Sequence, residues 1–127
     1  MRLNAIGIVC SSVSASLRFY RKLGVPFPGY DPEVGHYDAD LGGGMRLMLD
    51  SEEIMESFIE GFTKPKGNDR IALAVEVDKP IDVDATYQTI IDGGFDGIRE
   101  PFDAFWGQRY AIVADPDGNH VDIYAAL

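Results

Sequence analysis

At 127 residues the chain can bury one hydrophobic core, and 46% hydrophobic with 25% charged residues is the balance of an ordinary globular protein, not a disordered or fibrous one. A formal charge of −10 argues against nucleic acid or anionic lipid as partners and favours cations. No apolar run is long enough to span a membrane, Met1-Arg2-Leu3-Asn4 carries no cleavable signal pattern, and a single cysteine, Cys10, fits a reducing cytoplasm.

In chain order, Leu3 to Val9 is a β-branched run that ends at Ser11-Ser12. Cys10 beside it is expected to be a small buried hydrophobe. Ser12 is a suitable N-cap for a helix whose Val13, Leu17, Tyr20 and Leu23 recur at helical spacing, with Gly24 at C′. Pro26 and Pro28 break the pattern, and a weak strand is expected after them. Strands from His36 to Leu41 and from Met45 to Leu49 form a hairpin about Gly42-Gly43-Gly44. That glycine run joins two strands and lacks the helix N-terminus of a phosphate cradle. Ser51 caps a helix expected to reach Phe62, and Thr63 to Asp69 reads as a linker.

The plan then repeats. Ile71 to Val77 is a strand, and Asp82 is expected to cap a helix whose Val83, Tyr87, Ile90 and Ile91 share a face and which Gly93-Gly94 ends. A short strand near Gly97 to Glu100 leads through Pro101 into a loop, Phe102-Asp103-Ala104-Phe105-Trp106. Gln108 to Ala114 and His120 to Tyr124 are strands joined by the turn Asp115-Pro116-Asp117-Gly118-Asn119. The result is an α+β chain of two βαβββ modules, about residues 1–62 and 70–127 across a linker of about 63–69, forming a single domain.

The doubled plan, the helix end Phe19-Tyr20-Arg21-Lys22-Leu23-Gly24, and Trp106-Gly107-Gln108-Arg109-Tyr110 running into the Asp115 turn resemble the vicinal-oxygen-chelate superfamily. That superfamily includes glyoxalases, extradiol dioxygenases and antibiotic-binding resistance proteins. The resemblance implies two curled half-barrel sheets around a concave groove, a homodimer, and a divalent metal held on the first and last strand of each module. Those positions fall on Ala5, Met48, Ile71 and Asp122. Ala and Ile offer no donor and the Met thioether is soft, so no metal and no other cofactor is expected.

Period-two alternation then assigns faces. With Asp122 on the concave side, His120 and Tyr124 join it while Val121 and Ile123 pack on the helices. His36, Asp38 and Asp40 oppose Tyr37, Ala39 and Leu41. Ala5, Gly7 and Val9, and Ile71, Leu73 and Val75, are expected to line the groove, with Arg46, Met48, Asp50, Gln108 and Tyr110. For a displaced metal site on His36, His120, Asp38 and Asp122, neither histidine has the i, i+4 helical or short-gap partner of a credible metal motif. The expected ligand residues are therefore Trp106, Tyr110, Phe105, Phe102, Met48, Asp122, His120, Gln108, His36, Asp38 and Arg46. A mainly apolar groove with rings and acids suits a planar, cationic or zwitterionic small molecule. Trp106 and Phe105 as a core cap or dimer contact is the alternative. A lyase, isomerase or dioxygenase using Asp122 or His120 as acid–base group is the second functional reading, and an interaction module without a ligand the third.

Overall fold

A computed structural model describes residues 1–66 and 68–127, with the backbone alone for 68–70. The chain divides into two compact units, Met1–Pro65 and Lys66–Leu127.

The first unit contains β1 (Ala5–Cys10), α1 (Val13–Lys22), β2 (His36–Gly42), β3 (Met45–Ser51) and α2 (Glu52–Phe58). Its sheet runs β1-β3-β2, with β1 parallel and β2 antiparallel to β3. The Ser12 hydroxyl accepts from the Ala15 amide at 3.3 Å, and Gly24, at φ 84°, turns the chain so that the Val25 amide reaches the Tyr20 carbonyl at 3.1 Å. The β2–β3 hairpin closes on Gly43 and Gly44 at φ 60° and 80°, a pair of positive values that glycine alone adopts without cost. Buried Leu47, Leu49, Tyr37, Ala39 and Cys10 form the core with Val13, Leu17 and Tyr20 of α1.

Three expectations for this unit are corrected. Residues 25–34 form no strand, because Pro26, Pro28 and Pro32 remove ladder donors, and the module is βαββ. Leu41 does not follow Tyr37 and Ala39 inward. The register shifts between Asp40 and Gly42, and Leu41 is 45% exposed. The second helix stops at Phe58, four residues short of Phe62, where Ile59 takes an extended conformation at φ −108°, ψ 107°.

The second unit contains β4 (Asn68–Glu76), α3 (Pro80–Asp92), β5 (Asp96–Ala104), β6 (Gln108–Ala114) and β7 (Asn119–Ala126), in the sheet order β4-β7-β6-β5. Here the βαβββ plan is complete. β4 takes in Asn68 and the residue after it, which the linker reading had kept, and Gly67 of that linker lies outside the described residues. The helix begins before Asp82. Pro80 presets φ in the first turn, and Asp82 Oδ2 accepts from the Lys79 amide at 3.1 Å. Fully buried Val83 and Ile90 of α3 join Ala111, Val113, Val121 and Ile123 in the core. Arg109 ties this helix to the sheet, pairing with Asp84 at 2.7 Å and Asp103 at 3.1 Å. In the β6–β7 turn, the buried Asp115 carboxylate accepts from the Asp117 and Asn119 amides at 2.9 and 2.8 Å.

Candidate functional site

Each sheet turns one face away from its buried core. In the first unit the register aligns Ala5, Arg46 and Asp40, then Gly7, Met48 and Asp38, then Val9, Asp50 and His36. These rows share a face, as the alternation required. Small Ala5 and Gly7 leave space above β1, and a Cβ on Gly7 would meet the Met48 methyl at 3.4 Å. His36 lies between two carboxylates, with Nδ1 2.5 Å from Asp50 and Nε2 2.8 Å from Asp38. Arg46 Nη1 donates to the other Asp38 oxygen at 2.9 Å. An imidazole facing acceptors through both nitrogens satisfies them only as imidazolium. The Asp50 bond, then the Asp38 bond, raises its pKa above 6.5.

In the second unit β6 and β7 pair Tyr110 with Tyr124 and Ile112 with Asp122, and Gln108 and His120 lie on the same face by alternation. The aromatic segment is a hairpin, not the expected loop: β5 runs through Pro101 as an edge strand and pairs Phe102 with Tyr110 and Ala104 with Gln108. Only Phe105, Trp106 and Gly107 remain as the turn, with Gly107 at φ 91°. The rings form one cluster. Trp106 meets Phe105, Tyr110 and Phe102 edge-to-face at centroid distances of 5.0, 5.3 and 6.1 Å. Tyr124 stacks on Tyr110 at 6.2 Å, and the Arg99 guanidinium lies 4.1 Å above the Phe102 ring.

Two hydrogen bonds orient this cluster. The Trp106 indole N–H donates to Gln108 Oε1 at 2.8 Å, and the Tyr110 hydroxyl donates to Asp122 Oδ2 at 2.6 Å. Burial, then the Asp122 bond, pushes the Tyr110 pKa up to about 12, which keeps the phenol a donor. Trp106 is 49% and Phe105 97% exposed, so neither ring is sealed into a core. Sequence reasoning passed over Arg99. Its only sign was a cation three residues before Phe102.

The metal positions need one correction. Asp122 pairs with Ala74, and Leu73 and Val75 pair with Val121 and Ile123 on the core face, so they do not line the outward face. Ile71 precedes the regular ladder, behind a register irregularity. Met48 pairs with Gly7, two residues after Ala5, and the same count back from Ala74 gives Ala72. Ala72, like Ile71, has no donor atom. Ala5, Met48, Ala72 and Asp122 together do not suit a hard divalent ion. Among the described residues no three His, Cys, Asp or Glu side chains gather into a metal-holding group. The carboxylates near His36 point at opposite sides of its ring, not at a shared centre.

The chain belongs to the glyoxalase/bleomycin resistance protein/dioxygenase superfamily, whose family model matches residues 2–123. It is similar to a solved glyoxalase/bleomycin resistance protein/dioxygenase from Nocardioides, with TM-score 0.74, 24% identity, and coverage of 100% of this chain and 84% of that one. A glyoxalase-related enzyme from Fulvimarina pelagi gives TM-score 0.81 at 21% identity, over 98% of this chain and 87% of that one. At such identity these structures share the fold alone. An uncharacterized Mycobacterium tuberculosis protein is 44% identical over 39 residues, 31% of this chain and 23% of that protein. The match spans only about a quarter of that curated relative. No helix among the described residues is long and apolar enough to cross a membrane.

Proposed function

We propose that this family member is a metal-independent binding protein that sequesters a planar, cationic or zwitterionic, antibiotic-like compound on the aromatic face of its second unit. The observation that carries this is the Trp106 cluster: half-exposed, held by Gln108, and next to a carboxylate. Asp122 uses Oδ2 for Tyr110 and keeps Oδ1 for a guest cation. The indole supplies a flat surface already fixed in orientation, which lowers the entropy cost of binding. A net charge of −10 steers a cation towards the protein. His120 and Phe105 on the same sheet complete the proposed contacts. The protein is further read as one cytoplasmic domain that acts as a homodimer, supported by its family and by the buried lone Cys10.

A thermal-shift screen of peptide, quinone and aromatic antibiotics tests this. A true ligand at about 100 times its Kd adds roughly 2.7 kcal/mol to stability. If planar cations never shift the melting temperature while neutral or anionic compounds do, the reading fails. The 2.6 Å Tyr110–Asp122 bond favours one second reading, acid–base catalysis on a bound substrate. Turnover of a screened ligand, lost in Asp122→Asn, would establish it.

A further inference from the structure

The first unit holds a cleft of about 550 Å³, lined by none of the outward-facing sheet residues described above and within the size range of small-ligand sites. The start of α1 supplies Ser11 and Ser14, the loop after residue 29 supplies Tyr30 and Glu33, and α2 supplies Glu53 and Ser57. This loop stands where the second unit has β5. Although it has no regular structure, it is firmly anchored. The Asp31 amide donates to the Tyr37 hydroxyl at 2.8 Å, and that hydroxyl donates back to the Asp31 carbonyl at 3.0 Å. The Ser51 amide holds the Gly35 carbonyl at 2.8 Å. The segment, without a strand, forms one wall of the cleft.

The charged groups in this cleft are two carboxylates, Glu33 and Glu53. Ser57 spends its proton on the Ile54 carbonyl at 2.6 Å and has only lone pairs left to offer. Ion pairs in this unit join His36 and Arg46 to Asp38, His36 to Asp50, and Lys64 to Glu52. Among the described residues none engages Glu33 or Glu53. Val13, Val34 and Ile54 supply an apolar part of the lining, and Tyr30 is half exposed. Two unpaired carboxylates and an acceptor hydroxyl suit N–H donors with positive charge, and the apolar side chains of the lining suit a hydrocarbon body. We infer that this cleft binds an organic primary ammonium ion, as a site independent of the aromatic face.

The test uses n-butylammonium, with n-butanol as its neutral isostere, followed by amide NMR shifts on the full chain. Butylammonium is expected to shift amides of residues 11–14, 30–35 and 51–57, and butanol to leave them in place. Glu33→Gln with Glu53→Gln is expected to weaken binding at least fivefold. Glu56→Gln with Glu60→Gln, on α2 and just beyond it but outside the cleft, and Trp106→Ala are expected to change it less than twofold. Equal shifts from butanol, equal weakening by the Glu56 and Glu60 pair, or loss of binding in Trp106→Ala would each overturn the assignment. The first would remove the role of charge, the second would leave only the protein's general field, and the third would move the site to the aromatic face.

Discussion

Replacing Gly35 by alanine tests how the first unit is packed. The added Cβ would lie 2.4 Å from Ile54 Cγ1 and 2.9 Å from Ser51 Oγ. Ile54 is β-branched and stiff at χ1, so it cannot swing clear cheaply. Ser51 Oγ caps α2 by accepting from the Ile54 amide at 3.1 Å. Overpacking costs about 1–3 kcal/mol, and a disturbed N-cap about 0.5–2 kcal/mol. Gly35→Ala should therefore lose about 2–3 kcal/mol, read as a lower urea midpoint at unchanged m-value. A double-mutant cycle identifies the cause. Ile54→Ala removes the clashing atoms, so the double variant should be less destabilised than the sum of the singles by roughly 1–2 kcal/mol. If Gly35→Ala loses under about 0.5 kcal/mol, or if the two changes add, the loop does not press on α2 as described.

Three further outcomes are expected. Asp115→Ala strips an acceptor from two backbone amides and from Asn119 Nδ2 at 2.7 Å, and should cost about 2–4 kcal/mol by thermal unfolding. Because the folded pKa of His36 is raised by Asp50 and Asp38, its stabilising contribution is complete below about pH 6.5 and is lost as pH climbs through the raised value. Wild type should thus lose more melting temperature between about pH 6 and pH 9 than His36→Gln; identical slopes would contradict the double hydrogen bond. Trp106→Ala should cost little stability, under about 1 kcal/mol by urea unfolding, because the ring is half exposed. A large loss would place the indole in the core.

Much of the fold was legible because its signals are local. Ser12, Gly24, the triple glycine and the Asp115 turn each act within a few residues, and alternation assigned His36, Asp38, His120 and Asp122 correctly to the faces opposite the cores. The errors have physical causes too. Three prolines between Pro26 and Pro32 argued against a strand more strongly than the doubled plan argued for one. In β4, apolar residues occupy both parities: Ile71, Leu73 and Val75 alternate with Ala72 and Ala74. Taking the larger set as the buried one would have put Leu73 and Val75 on the core, where the register places them. Phe102 looked like a loop residue because Pro101 precedes it, yet an edge strand tolerates a missing donor. The aromatic cluster was foreseen as composition, but the orienting bonds from Trp106 to Gln108 and from Tyr110 to Asp122 depend on cross-strand register and could not be read in advance.

The binding proposal is tested most directly by calorimetric titration of a screened ligand into wild type, Trp106→Ala and Asp122→Asn. Loss of the indole should weaken binding about thirtyfold or more, since a truncated aromatic anchor costs about 2 kcal/mol. Asp122→Asn should weaken a cationic ligand less and make its affinity less dependent on salt. An authentic ligand bound by Trp106→Ala as tightly as by wild type would contradict the assignment of the aromatic face as its site.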